Sequence, residues 1–234
     1  MEHLNIFKSI QNPDLPINTS GYHSVYFNYN DFDYHNYSSI KNYHIIKNFN
    51  QFVPKRKIEF LAGRYCAHKA IEMISFSFDD IINIKDDRSP KWPEGLVGSI
   101  THTKNFASAA VAHSSKLTSI GIDSEVVMQL PQAIKLHDSI LTDNELHKFK
   151  DCFTLDILST VFFSAKESVF KCLYPLTYSL FGFQDVEIFY FCPLEGIFKF
   201  KLLANIDDLF TKNYEGSGNV TIDKTHVHTA VQLI

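Results

Sequence analysis

The sequence predicts an α+β fold, on three observations. Strands and helices are mixed, with short strands and hairpins in place of a regular βαβ alternation. The two halves share a coarse plan, each with one long helix and strands after it. The composition is that of an ordinary folded protein: 234 residues, 45% hydrophobic and 21% charged. No Gly/Ser linker divides the chain, and a break falls near 115–118, giving an N-terminal subdomain of 1–117 and a C-terminal one of 118–234.

Residues 22–50 are rich in Tyr, Phe and Asn, dense enough in aromatics to be ordered structure rather than a low-complexity tract. The stretch 56–74, "RKIEFLAGRYCAHKAIEMI", carries Phe60, Ala67, Ala70, Ile71 and Ile74 at helical spacing. Two prolines and a glycine break "DDRSPKWPEG", 86–95, and leave Trp92 exposed in a loop. A strand, a turn and an alanine-rich strand follow over 98–113, then a strand over 118–127. Thr142 and Glu145 are spaced as a capping box. A long helix runs over 154–173 and ends before Pro175. "VEIFYF" and "IFKFKLL" flank "CPLEG" as a hairpin, and "GNVTID" and "HVHTAVQLI" close the chain as strands.

The formal charge is −4, from 22 Lys and Arg against 26 Asp and Glu, which does not suit a nucleic-acid coat or a polybasic membrane binder. No transmembrane run and no secretory signal is read. Cys66, Cys152, Cys172 and Cys192 form no CxxC pair, so they are expected to be reduced, mostly buried thiols of a cytoplasmic protein. On that reading the sequons at Asn18 and Asn36 mean little.

Candidate chemistry lies in "GIDSE", 121–125, and "FSAKESVFK", 163–171. Asp123 and Glu125, two apart on a strand, share a face and would need a cation or water between them. Hard oxygen donors favour Mg²⁺, although spacing alone fits a solvated strand end better. Glu167 and Lys171 share a helix face, either as a plain surface pair or at the border of a cleft. Lys166 lies about 100° around the helix from Glu167 and need not share that cleft. Arg56 and Arg64, eight residues apart, fall on one side of the first helix and can serve as phosphate grips or as solubilising charge. Arg88 and Lys91 sit in the following loop. "SITH", 99–102, adds hydroxyls and His102. His226 and His228 share a strand face with no evident carboxylate partner and are read as structural. There is no P-loop, HExxH, GxSxG or dinucleotide fingerprint.

The order of these signals carries more than any one of them. "EFLAGR", then "WPEGLVGSITH", then "GIDSE", then "FSAKESVFK", across roughly residues 54–173, resembles the 4′-phosphopantetheinyl transferase superfamily, its surfactin-type branch and the enterobactin synthetase component D group within it. The resemblance implies a pseudo-dimer of two similar α+β subdomains with the active site in the cleft between them. It implies transfer of 4′-phosphopantetheine from coenzyme A to a serine of an apo acyl, peptidyl or aryl carrier protein, releasing adenosine 3′,5′-bisphosphate. Non-ribosomal peptide or siderophore assembly is the expected setting, with the protein a monomer that is part of a synthetase complex. In family terms Asp123, Glu125 and Glu167 hold Mg²⁺. Either Glu167 or a water on the ion acts as base, and Lys171 stabilises or protonates the leaving nucleotide. Arg56, Arg64, Arg88 and His102 bind the phosphates of coenzyme A, with Ser99 and Thr101 nearby and Lys85 and Lys91 assisting. A non-catalytic carrier-binding module on the same fold is the alternative.

Overall fold

The computed structural model describes residues 8–9, 17, 20–29 and 49–234. The chain forms two units, the first running to Thr118 and the second, apart from a short N-terminal piece, from Ser119 to Ile234. Residues 30–48, within the Tyr/Phe/Asn-rich stretch read as ordered, lie outside the described residues.

In the first unit, helix α1 (Pro54–Met73) lies on an antiparallel sheet of β1 (Lys8–Ser9), β2 (Gly21–Tyr26), β4 (Phe106–His113) and β3 (Leu96–Thr103), in that order. Proline at the first turn of α1 suits a position whose N–H has no intrahelical acceptor. The alanine-rich strand β4 is central and buried from Phe106 to Ala112, because Ala107, Ala109 and Val111 meet Ala62, Cys66, Ala67 and Ala70 of the helix. Small side chains on both sides bring helix and sheet close. Gly21 makes the closest approach, since a Cβ there would fall 2.0 Å from the Ala70 carbonyl oxygen. Trp92, expected to be exposed, is partly buried instead. Gly98 leaves room for its ring, 2.6 Å from where a Cβ would sit.

In the second unit, helix α4 (Leu155–Thr177) lies on a five-stranded antiparallel sheet ordered β5 (Ser119–Val126), β9 (His226–Leu233), β8 (Glu215–Ile222), β7 (Ile197–Leu202) and β6 (Val186–Cys192). Two shorter helices precede it, α2 (Leu130–Ile140) and α3 (Asp143–Phe149). The Thr142–Glu145 capping box forms as expected. Helix α4 runs past Pro175 to Thr177, beyond the expected stop. Proline there removes one helical hydrogen bond in the last turn, and Tyr178, at φ 51°, closes the helix by donating its N–H to the Tyr174 carbonyl at 2.8 Å. Among the described residues no helix is long and apolar enough to cross a membrane. Cys66 and Cys172 are buried free thiols, and Cys152 is exposed.

Two features fix α4. Gly121 of β5 lies directly under the helix backbone, where a Cβ would sit 2.1 Å from the Ser168 carbonyl oxygen and 2.5 Å from the Cys172 nitrogen. On another side, Lys166 is 1% exposed and spends its three protons on the Ile140 carbonyl (2.7 Å), Glu145 Oε2 (2.8 Å) and the Phe183 carbonyl (2.9 Å). Glu145 also accepts the backbone N–H of Thr142 and of Ile188. Burial pushes the Glu145 carboxyl up and the Lys166 ammonium down, each against the pull of the other.

Both features are testable by unfolding. Gly121→Ala should lose about 1–3 kcal/mol in urea, because only backbone lies in the way and no side chain can rotate aside. Lys166→Met should lose about 3–5 kcal/mol by stranding a buried carboxylate, with part of it regained in Lys166→Met/Glu145→Leu. A wild-type urea midpoint in Lys166→Met would rule out this structural role.

Candidate active site

The seam between α4 and β5 gathers the acidic candidates. Asp123 and Glu125 point to the α4 side of β5, as strand alternation requires, because Gly121 on that side touches the helix. Thr229, the register partner of Asp123 on β9, accepts hydrogen bonds at Oγ1 from Ser168 (2.6 Å) and Ser164 (2.9 Å) and donates to the Ser164 carbonyl (2.8 Å). This hydroxyl cluster and Gly121 hold the helix low over the sheet. One turn apart on α4, Glu167 and Lys171 then reach the edge of β5.

Lys171 Nζ donates to Asp123 Oδ1 at 2.6 Å, so its close partner is the strand aspartate and not the glutamate one turn back. Asp123 is buried, whereas the Lys171 side chain keeps 27% exposure. Burial works against the Lys171 charge, but Asp123, then Glu167 and Glu125, more than offset it and raise its pKa. Burial also pushes the Glu167 carboxyl up, with Asp123 adding to the rise and Lys171 opposing it.

Three carboxylates therefore bear on one ammonium, and the surplus is negative. Among the described residues no three potential ligand side chains already stand at metal-binding distance. What the site offers a divalent cation is charge and chemistry: three oxygen-donor side chains, one of them now holding the Lys171 ammonium. That donor set fits Mg²⁺.

Ser124, between the two acids, points to the other face of β5 and lies 2.9 Å from His228 Nδ1. Asp223 Oδ2 lies 3.6 Å from His228 Nε2, so this histidine has the carboxylate partner that the sequence did not reveal. Burial drives the His228 pKa down to about 4 against the pull of Asp223, so the ring is neutral at physiological pH. His226 stacks on it, with centroids 5.8 Å apart.

The first unit holds a separate cavity of about 750 Å³. Arg56, Glu59, Phe60 and Arg64 line it from α1, Ile100 and His102 from β3, and Asn83, Lys85, Asp86 and Arg88 from the loop. Arg64 is 5% exposed; its Nε donates to the Ile82 carbonyl at 2.8 Å and its guanidinium lies 4.5 Å from the centre of the Phe60 ring. Arg88 sits at φ 70°, a left-handed conformation that glycine would adopt more readily. Arg56 Nη1 lies 2.6 Å from His102 Nε2. Among the described residues four permanent cations, Arg56, Arg64, Lys85 and Arg88, thus face two carboxylates, Glu59 and Asp86, an arrangement suited to a polyanion.

The structure thereby brings Arg56, Arg64, Arg88, His102 and Lys85 to one cavity. Ser99 and Thr101 alternate with Ile100 and His102, so they occupy the opposite face of β3, are buried, and do not line it. Lys91 is exposed and is not part of the lining either. Glu59 was missed, although its position three residues after Arg56 on one helix face was visible.

Comparison with known proteins gives one consistent match. Residues 45–112 match the family model described as 4′-phosphopantetheinyl transferase N-terminal domain, and residues 119–217 match the 4′-phosphopantetheinyl transferase superfamily model. The chain is 36% identical over 138 residues to the 4′-phosphopantetheinyl transferase Npt of Nocardia iowensis, covering 58% of this chain and 60% of that protein. It is 36% identical over 153 residues to the 4′-phosphopantetheinyl transferase Svp of Streptomyces mobaraensis, covering 65% and 61%. Over 135 residues it is 36% identical to enterobactin synthase component D of Escherichia coli K12, covering 57% and 62%. The matched stretch thus spans about six-tenths of the length of these relatives.

The raised pKa of Glu167 has a thermodynamic sign. A carboxyl whose folded pKa lies above its ordinary value of 4.5 binds more protons folded than unfolded, so stability falls as pH rises through that window. Glu167→Gln removes this loss. In EDTA at pH 7.5 the variant should melt about 2–4 °C above wild type, and at pH 4 the gain should vanish. Adding MgCl₂ should raise the melting temperature of wild type more than that of the variant. A variant that melts below wild type in EDTA at pH 7.5 would contradict the electrostatic account.

Proposed function

Because the chain belongs to the 4′-phosphopantetheinyl transferase superfamily, we propose that it transfers the 4′-phosphopantetheine group of coenzyme A to a serine hydroxyl of an apo carrier protein. The observation that supports this most directly is the Lys171–Asp123 contact at 2.6 Å, which gathers an ammonium and three acids where a pyrophosphate would be cleaved. Carrier domains of peptide or siderophore assembly are the proposed partners, a choice supported by the likeness to enterobactin synthase component D.

In the reaction the serine oxygen bonds to the β-phosphorus of coenzyme A. The bond from that phosphorus to the bridging oxygen breaks, and adenosine 3′,5′-bisphosphate leaves. Glu167 takes the serine proton; its upward-shifted pKa makes it a better proton acceptor than an ordinary surface carboxylate. Lys171, kept charged by Asp123, donates to the leaving phosphate oxygen as negative charge grows there. Mg²⁺, when held by Asp123, Glu125 and Glu167, would supply positive charge to the pyrophosphate. In the N-terminal unit Arg56, Arg64, Lys85, Arg88 and His102 hold the nucleotide phosphates. Ser99 and Thr101 have no phosphate contact in this scheme.

The test is an intact-mass assay with coenzyme A, MgCl₂ and a panel of apo aryl, peptidyl and fatty-acid carriers. Peptidyl or aryl carriers should gain one phosphopantetheine with the highest kcat/KM, and a carrier with its acceptor serine changed to alanine should gain none. Glu167→Gln should bind coenzyme A almost normally and lose kcat by about 10²–10⁴, with no rescue by extra metal. Failure of wild type to modify any carrier would overturn the proposal. Full rescue of Glu167→Gln by Mn²⁺ would leave Glu167 a ligand only.

A further inference from the structure

Glu59 stands among the cations of the N-terminal cavity, with its side chain 12% exposed. The Tyr29 hydroxyl donates to its Oε1 at 2.9 Å, and Lys55 Nζ lies 3.8 Å from the same oxygen. Its Oε2 lies 3.8 Å from both Arg56 Nη1 and His102 Nδ1. Arg56 and His102 themselves approach to 2.6 Å through Nη1 and Nε2. A guanidinium only donates, so Nε2 must accept. The ring proton is then on Nδ1, the nitrogen that faces Glu59. Burial, and then the neighbouring Glu59, push the Tyr29 hydroxyl well above its ordinary pKa, which keeps it a donor to that carboxylate.

We propose that Glu59 is a positioning residue: it faces the Nδ1–H of the neutral tautomer that Arg56 sets in the free protein, and it supplies the counter-charge that lets the ring take up a second proton when a phosphate enters the cavity. The inference rests on the reading of this cavity as the nucleotide-phosphate site. The balance of charge around the ring favours such a switch. Arg56 and Arg64 on α1, with Lys85 and Arg88 on the 83–90 segment, disfavour a fifth positive charge while the cavity holds no anion. Asp86 offsets part of this from the loop, and among the described residues Glu59 is the carboxylate whose oxygen faces Nδ1. An entering phosphate monoester brings about −1.5 to −2 charge and reverses the balance. One proton then passes from solvent to Nε2, turning that nitrogen from acceptor to donor, and Nδ1–H continues to face Glu59.

Isothermal titration of adenosine 3′,5′-bisphosphate in two buffers of different ionisation enthalpy, from pH 6 to 8.5, tests this. Wild type should take up close to one proton per ligand near neutral pH, and adenosine 5′-phosphate markedly less. His102→Gln should abolish the uptake. In Glu59→Gln the pH at which affinity begins to fall should move down by about one unit, and Glu59→Asp should restore most of the shift. Nitrogen NMR of the free protein should find the His102 proton on Nδ1 in wild type and in Glu59→Gln alike, because Arg56 still donates to Nε2, and a wild-type proton on Nε2 overturns the inference. Binding without proton uptake by wild type, or a Glu59→Gln pH profile identical to wild type, overturns the inference while leaving the cavity assignment intact. No binding of the bisphosphate by wild type overturns the cavity assignment, and this inference with it.

Discussion

The absence of a side chain at residue 121 sets the geometry of the C-terminal unit. Helix α4 rests on β5 with the Ser168 carbonyl and the Cys172 nitrogen over Gly121, closer than any Cβ would permit. Beside that contact the helix meets β9 through hydroxyls as well as through Val227 and Val231 of the same strand face: Ser164, Ser168 and Thr229 satisfy one another. Ser119 adds a bond of 2.6 Å to the Cys172 carbonyl. Small polar side chains whose hydrogen bonds are made can be buried at little net cost, and they allow a shorter separation than leucines would. The short separation lets a lysine on the helix and an aspartate on the strand touch.

Lys166 and Lys171 show how burial divides two similar side chains five residues apart on one helix. Lys166 is enclosed, with an acceptor for each proton, and ties the end of α2, the start of α3 and the turn at Phe183 to α4. Its charge has been used up by structure. Lys171 has one short partner and remains open to solvent over part of its length, so it can serve an incoming anion. Glu145 and Glu167 divide in the same way. Burial raises the pKa of both, but Glu145 accepts two backbone N–H groups and an ammonium, whereas for Glu167 burial is joined by the like charge of Asp123 and opposed by Lys171.

Strands in this chain were legible wherever period-two patterning and turn residues coincided, as at "VEIFYFCPLEGIFKFKLL". The capping box was legible because its two residues are local. Helix α2 went unread, since Leu130, Ile134 and Leu136 face solvent and blur the apolar period, and its N-cap, Gln129, makes no side-chain bond. Pro175 misled because the helix accepts the loss of one hydrogen bond there and continues for only two more residues, to Thr177, before Tyr178 closes it. The spacing of "GIDSE" and "AKESVFK" put the acids on the right faces. It could not pair Lys171 with Asp123, because that pairing depends on how low α4 lies over the sheet. The same limit hid Asp223 beside His228 and the burial of Trp92, both of which are set by contacts distant in sequence.

A protein with a net charge of −4 carries a cavity in which four cations face two carboxylates. The two facts are compatible because charges act locally: at physiological ionic strength the field of an exposed charge fades over about 8 Å. An anion inside the cavity therefore responds to Arg56, Arg64, Lys85 and Arg88 far more than to the acidic surface elsewhere. The cations are also unequal. Arg64 is fixed by a backbone carbonyl and the Phe60 ring, and Arg88 is held in a left-handed turn whose neighbour Ser89 is tied to Asp87. Arg56 lies more open, linked to His102 and facing Glu59. A carboxylate placed at the more exposed end of such a set keeps the cations from repelling one another before the phosphate arrives, and an anion with two charges can compete with it. Recognition then depends less on the amount of positive charge than on how much of it is already oriented, which is the property that a fixed arginine and a tautomer-locked histidine provide.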